Sequence, residues 1–304
     1  MKSIFGYLIL LGLLAACSSV PVSTATLSQE LTNTGIVQSP TTDPTQTLAP
    51  PSPTVTVELP TSTTTPVPPT ATPAPACVLL YYGGYAQFEI ISPFGQRVLV
   101  DINDPGKISS PAVESDILLT THTHWDHLNE EFQTNFPGLQ LFVQTGVLET
   151  PGAIIQGIAS SHNVGDRLRP HGGTNYIYLI EIWGLRIAHF GDIGQKSLTE
   201  EQLTVLGEVD IAITQINNPY SEMNAENRKG INLMDQVQPR LIIPTHSNLD
   251  TIKLALAQWD GYYAESPGVK ICESYLSQDS TKLLLMGEVV GTMVKYVDLE
   301  AWGD

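Results

Sequence analysis

The chain carries the stretch Thr121-His122-Thr123-His124-Trp125-Asp126-His127, in which three histidines and one aspartate fall within seven residues. Residues 116–121 lead into this stretch and form a short, mostly apolar segment, which is typical of a buried strand. Because side chains alternate along an extended chain, His122 and His124 are expected to point the same way. A helix predicted over residues 127–136 would displace Asp126 and His127 by a turn from His122 and His124. Asp126 and His127 could then face a second cation beside the first. Imidazole and carboxylate groups at this density indicate a site for Zn²⁺, Mn²⁺ or Fe.

The segments around this stretch predict an α/β protein. Alternating apolar residues predict a β-hairpin over 78–92 and 97–102 and a second one over 176–182 and 185–190. Strands and helices then alternate, with strands over 209–214 and 241–246 and helices over 199–207, 224–237 and 250–259. Thr199 and Gln202 fit a capping box at the start of the first of these helices. The pattern favours sheets covered by helices, and it leaves the topology open.

Residues 77–304 resemble the metallo-β-lactamase-fold superfamily of metal-dependent hydrolases, in particular its lactonase-like and phosphodiesterase-like branch. The resemblance is carried by residues 121–127 and by four further motifs: Gly172-Gly173-Thr174-Asn175, His189-Phe190-Gly191-Asp192, Leu198-Thr199-Glu200-Glu201-Gln202-Leu203 and Ile243-Pro244-Thr245-His246. It implies an αββα sandwich, in which two mixed β-sheets are flanked by helices and the metals lie at one sheet edge.

The resemblance also implies a complete ligand set for two divalent cations, with Zn²⁺ expected and Mn²⁺ or Fe as alternatives. His122, His124 and His162 would hold metal one, Asp126, His127 and His246 would hold metal two, and Asp192 would bridge them. Asp192 and Asp126 are the expected catalytic residues.

Three other residues are weaker candidates for a role at the metal site. His171, before Gly172, would contact the substrate or be a structural loop histidine. His189 is expected to pack behind the site, and Asp101 to orient a ligand imidazole. Residues 215–220 stand where relatives commonly have a Gly-rich turn, so the resemblance does not carry over a substrate.

The expected activity is hydrolysis of an ester, lactone or phosphodiester bond in a small molecule. Two cations would lower the pKa of a shared water, so that a bridging hydroxide attacks a polarised carbonyl or phosphoryl group. The sequence has neither the GxSxG pattern of a serine hydrolase nor the GxxxxGK[ST] pattern of a P-loop. The alternative is a non-catalytic, lipid-anchored protein that binds a metal or another ligand.

The N-terminus predicts export. One lysine precedes an apolar run of about a dozen residues, which is the architecture of a signal peptide. The sequence Leu14-Ala15-Ala16-Cys17 resembles the lipobox of bacterial lipoproteins, which implies cleavage after residue 16 and lipidation of Cys17. An ordinary cleaved signal or a short anchor is the alternative. We expect an extracytoplasmic protein anchored to the bacterial cell membrane.

Residues 17–76 are expected to form a tether between the lipidated cysteine and the hydrolase domain. Thr, Pro and Ser make up 35 of the 59 residues from 18 to 76. Such a segment buries too little apolar surface to offset its conformational entropy. The domain itself is therefore residues 77–304, where Cys77 and Cys272 either form a disulfide or remain buried thiols.

The charge of the chain argues against a nucleic-acid partner. Its net charge is −17, and residues 77–304 contain 13 Lys and Arg against 28 Asp and Glu. Binding of a phosphate backbone needs clustered basic side chains, which this sequence lacks. The expected partners are a small-molecule substrate and the membrane that holds the anchor.

Overall fold

The computed structural model describes residues 76–163, 173–264 and 266–287. Within these ranges the strands are β1 (Cys77–Gly84), β2 (Gln87–Ile91), β3 (Arg97–Val100), β4 (Ile117–Thr120), β5 (Leu139–Phe142), β6 (Gly146–Glu149), β7 (Ala153–Ser160), β8 (Asn175–Ile182), β9 (Leu185–His189), β10 (Ile211–Thr214), β11 (Leu241–Pro244), β12 (Asp260–Ala264), β13 (Gly268–Cys272) and β14 (Lys282–Met286). The helices are α1 (Glu130–Thr134), α2 (Glu200–Leu206), α3 (Lys229–Val237) and α4 (Leu249–Leu256).

The strands form two mixed sheets. The six-stranded sheet has the order β13-β1-β2-β3-β4-β5 and the eight-stranded sheet has the order β12-β14-β11-β10-β9-β8-β7-β6. Strands β3, β4 and β5 are parallel, as are β9, β10 and β11. The carboxyl ends of β4, β9 and β11 are therefore free to supply side chains to one end of the sandwich.

A continuous apolar layer lies between the two sheets. It includes Phe88 and Leu119 from the six-stranded sheet and Ile155, Tyr178 and Ile213 from the eight-stranded sheet. The buried Tyr178 hydroxyl lies 3.0 Å from the carbonyl oxygens of Thr120 and Leu141, so it links β8 to β4 and β5. A buried hydroxyl needs such a partner, and this one fixes how the sheets meet near the end of β4.

Helices cover the outer face of each sheet. Leu206, Met234 and Ile252 from α2, α3 and α4 pack on the eight-stranded sheet. Phe132 and Phe136, in and after α1, pack beneath Leu99 and Leu118 of the six-stranded sheet. The result is the predicted αββα sandwich, which confirms the fold class.

Two helices begin later than the sequence predicted. The predicted helix over residues 127–136 begins only at Glu130, because the Asn129 side chain accepts a hydrogen bond from the Phe132 amide and caps it there. Asp126 and His127 therefore lie in a turn, where the His127 amide donates to the His124 carbonyl. Likewise α3 begins at Lys229, since the Asn224 and Asn227 side chains bind each other's backbone amides in a separate turn.

The predicted hairpin over residues 78–92 and 97–102 is a three-stranded meander, because a turn at Tyr85 and Ala86 divides its first segment into β1 and β2. The second predicted hairpin is confirmed as β8 and β9.

Cys77 and Cys272 form a disulfide between β1 and the edge strand β13, which answers the question that the sequence left open. The two residues are register partners in the sheet. The predicted signal peptide, the predicted lipidation site Cys17, the predicted tether up to residue 75 and His171 lie outside the described residues. In the part of the chain that the structure describes, no helix is long and apolar enough to cross a membrane.

Candidate metal centre

Seven side chains predicted as metal ligands meet at one end of the sandwich. They form two groups whose ligand atoms lie within 4.8 Å of one another: His122, His124, His162 and Asp192 in the first group, and Asp126, His127, Asp192 and His246 in the second. Asp192 belongs to both groups. The membership of each group is the one that the family resemblance implied.

The two oxygens of the Asp192 carboxylate face different groups. Oδ2 lies 3.9 Å from His122 Nε2 and 3.6 Å from His162 Nε2. Oδ1 lies 3.2 Å from both His127 Nε2 and His246 Nε2. A carboxylate placed in this way can offer one oxygen to each of two cations.

The donor atoms fit cations better than they fit one another. Among the described residues, His122 Nε2, His162 Nε2 and Asp192 Oδ1 are buried atoms with no hydrogen-bond partner. Buried polar atoms normally have hydrogen-bond partners, so three unpaired atoms directed at the same space require an explanation. Neutral imidazoles and carboxylates are ligands of Zn²⁺ and similar divalent cations, and ligation would satisfy all three atoms.

The turn after β4 is held in place by Asp101. The Asp101 carboxylate accepts hydrogen bonds from the Thr121 amide and hydroxyl, each at 2.8 Å. Its Oδ2 also lies 2.8 Å from His127 Nδ1, which leaves His127 Nε2 directed toward Asp192. A carboxylate behind a ligand imidazole fixes the tautomer and the ring orientation. The predicted orienting role of Asp101 therefore has a geometric basis, and the imidazole concerned is that of His127.

Asp192 is positioned by a tight turn after β9. A Cβ atom on Gly191, which has φ of 53°, would lie 2.5 Å from Asn175 Oδ1 and 2.7 Å from the Thr121 side chain. Only glycine fits this close approach. The Asn175 side chain accepts a hydrogen bond from the Asp192 amide, and Asn218 Nδ2 donates to Asp192 Oδ2 at 2.6 Å.

The electrostatics of the site follow from burial and close contacts. Burial and the neighbouring His127 lower the pKa of His122 to about 3, so its imidazole is neutral. Burial alone would lower the pKa of His127, but the Asp101 and Asp192 carboxylates raise it to about 10 in the absence of a cation. For Asp192, the surrounding imidazoles outweigh the effect of burial and hold the pKa well below its usual range. The charged carboxylate suits a cation, which would replace the proton on His127.

His189 stands outside both groups. It is fully buried, and its Nε2 lies 3.0 Å from the Ala86 carbonyl oxygen, in agreement with the predicted packing role. Thr121, Asn175 and Asn218 support Asp101 and Asp192, and no local pattern in the sequence predicts these roles. Asn175 was present in a quoted motif and Asn218 in the segment 215–220, but only the tertiary contacts reveal what they bind.

Comparisons with known proteins agree with this geometry. Residues 79–246 match the family model described as "Beta-lactamase superfamily domain". A protein of Thermococcus onnurineus that is named a metal-dependent hydrolase is 26% identical over 190 residues, covering 54% of this chain and 82% of the relative. One of Natranaerobius thermophilus with the same name is 27% identical over 177 residues, covering 52% and 75% of the two chains.

A solved structure shows the same fold. A metallo-β-lactamase superfamily protein from Thermotoga maritima superposes with a TM-score of 0.50 at 20% identity, covering 69% of this chain and 98% of its own. The family model spans more than half of the present chain and ends at His246, the last residue of the second ligand group. The chain belongs to the beta-lactamase superfamily.

Proposed function

We propose that this protein is a dinuclear metal-dependent hydrolase that cleaves an ester, lactone or phosphodiester bond in a small molecule. The observation that carries the proposal is the Asp192 carboxylate, which gives one oxygen to each of two ligand groups. The names of the relatives agree with metal-dependent hydrolysis. Divalent cations held there would supply a water that is nucleophilic near neutral pH and an electrophile for the oxygen of the scissile group.

The first task of the protein's own residues is to hold the donor atoms apart and fixed. His122 and His162 are almost fully buried, and Asp101 holds the ring of His127, so these side chains have little freedom to reorient. Because these side chains are already in place, reorganisation of the site costs little free energy when charge develops during the reaction.

Asp192 has the second task, which is to set the position of the attacking water. Asn218 and the turn at Gly191 fix its carboxylate, and the negative charge would offset the repulsion between two bound cations. An error of about an ångström in the position of a nucleophile can lower the rate on the order of 100-fold. Asp126 lies at the more open side, with Oδ2 3.6 Å from His246 Nε2, where substrate would approach.

We further propose that the protein is exported, lipidated at Cys17 and held at the outer face of the cell membrane by the tether over residues 17–76. The lipobox-like sequence supports the anchor. The Cys77–Cys272 disulfide supports an oxidising compartment, since such bonds persist mainly outside the cytoplasm.

The function is tested by assaying the full-length protein, purified without chelator, on chromogenic esters, lactones and phosphodiesters. Asp192→Asn is expected to lower hydrolysis by at least about 100-fold, because an amide neither offsets cation repulsion nor fixes the water. Asp279→Asn, an exposed carboxylate on a loop after β13, is the matched control and is expected to behave as wild type. Wild-type rates in Asp192→Asn, or no hydrolysis by the metal-loaded protein, would contradict the proposal.

A further inference from the structure

A cavity of about 330 Å³ opens beside the proposed metal centre, and His246 forms part of its wall. The cavity lies between β1 and the carboxyl ends of β11 and β14. Its other lining residues are Tyr82, Tyr85, Pro244, Thr245, Ser247, Leu285 and Met286. The volume is at the lower end of the range for small-molecule sites. None of these side chains is Lys, Arg, Asp or Glu.

Tyr85 forms an aromatic wall at the mouth of this cavity. Tyr85 is 45% exposed and Trp125 is 71% exposed, and their ring centroids lie 5.3 Å apart, edge to face. The Tyr85 backbone has φ of 51°, in the left-handed region that a bulky residue rarely adopts. Together with Gly84, whose φ is 101°, Tyr85 forms the tight turn between β1 and β2, and this turn sets its backbone conformation. Two exposed aromatic rings bury little apolar surface and therefore add little to folding, whereas beside the metal centre they offer apolar surface to a ligand.

Thr245 supplies an independent sign of a ligand. The residue is 7% exposed and lines the cavity, and its Oγ1 is a buried atom with no hydrogen-bond partner among the described residues. Leaving a buried hydroxyl unpaired is unfavourable. A rotation about the Thr245 Cα–Cβ bond that turns the hydroxyl toward the cavity would let a ligand atom there pair with it.

We infer that this cavity binds the non-reacting part of the substrate, and that this part is a neutral ring carrying a hydroxyl or carbonyl group. The ring would stack against Tyr85, and its polar group would pair with Thr245 Oγ1. The absence of charged lining residues argues against an ionised group, and Lys107, which lies near Gly84, is paired with Asp104 at 3.7 Å. The inference rests on the proposed function, because it assigns a substrate class to that same site.

A binding experiment tests the cavity without hydrolysis. Full-length protein purified without chelator is titrated with benzyl alcohol and with toluene, which lacks the hydroxyl, by ligand-observed NMR. Tyr85→Asn should weaken binding of both probes about three- to tenfold, the range expected from loss of an aromatic contact. It should also leave the melting temperature unchanged or higher, because Asn tolerates the left-handed region. Thr245→Val should weaken the binding of benzyl alcohol about three- to tenfold and leave the binding of toluene unchanged.

Phe94→Asn is the matched control, because Phe94 is also exposed but lies in the turn between β2 and β3, at the opposite end of the sandwich. It should bind both probes as wild type does. The inference is overturned if benzyl alcohol fails to bind, if Tyr85→Asn binds like wild type, or if Phe94→Asn loses as much affinity as Tyr85→Asn.

A kinetic arm separates this inference from the proposed function. Phenyl acetate carries an aromatic ring, and methyl acetate does not. Tyr85→Asn should therefore raise the ratio of KM for phenyl acetate to KM for methyl acetate about three- to tenfold. If neither ester nor any of the chromogenic substrates is hydrolysed while benzyl alcohol binds as expected, the proposed function fails, and the cavity remains a binding site for a neutral ring that has no part in hydrolysis. If both esters are hydrolysed and the KM ratio does not change in Tyr85→Asn, the cavity assignment fails alone.

Discussion

Replacing Gly191 by alanine should damage both the fold and the metal centre. The new Cβ would lie 2.5 Å from Asn175 Oδ1 and 2.7 Å from the Thr121 side chain. Neither neighbour is free to move, because Asn175 is bonded to Ser160 and Phe190 and Thr121 is bonded to Asp101. The left-handed backbone costs alanine about 1–2 kcal/mol, and overpacking costs about 1–3 kcal/mol more. We expect the free energy of unfolding to fall by about 2–5 kcal/mol.

Gly95→Ala is the matched control for this prediction. Gly95 also has a positive φ, of 86°, but no atom lies within 4 Å of a Cβ built there. In Gly95→Ala the free energy of unfolding should fall by only about 1–2 kcal/mol, which is the cost of the left-handed backbone. The assay is urea unfolding of both variants after removal of metal, so that ligation does not contribute to the measured stability. Metal content is then measured after reloading, and only Gly191→Ala should lose it. Equal destabilisation of the two variants, with wild-type metal content in Gly191→Ala, would refute the reasoning.

Three further predictions concern the support of the site, the disulfide and the anchor. Asp101→Asn keeps a residue that tolerates the observed φ of 51° but removes the carboxylate behind His127. Its metal affinity, measured by competition with a chelator, should fall by about 10–100-fold, and an unchanged affinity would mean that Asp101 does not orient a ligand. Replacing Cys77 and Cys272 by alanine opens a crosslink across 195 residues and should lower stability to urea by about 2–5 kcal/mol; an unchanged urea midpoint would show that the bond does not constrain the chain. Cys17→Ala should move the protein to the soluble fraction or block its maturation, and unchanged membrane partition together with unchanged acylation would refute lipidation at that residue.

The ligand set could be proposed from the sequence because its chemistry is local. Three imidazoles and an aspartate in the stretch 121–127 are recognisable without a fold, and the resemblance added His162, Asp192 and His246. Placing these residues in two groups with Asp192 in common required the family pattern, since periodicity gave no topology. The structure brings the same residues together.

The supporting contacts were beyond the sequence because they join distant segments. Asp101 reaches His127 across 26 residues, and Asn218 reaches Asp192 across the same number. No local pattern records such a pairing. The start of α1 was missed for a different reason, since Asn129 caps the helix while His127 is already held by Asp101. The local cap at Asn129 and the tertiary contact of His127 with Asp101 together place the start of the helix after His127.

The proposed function requires that Asp192 join two ligand groups, each of which holds a cation. The most direct test is the metal stoichiometry of the full-length protein after saturation with Zn²⁺ or Mn²⁺ and removal of the excess, measured by mass spectrometry of the elements. We expect close to two equivalents per chain. A value near zero or a saturating value of one would contradict the proposed function.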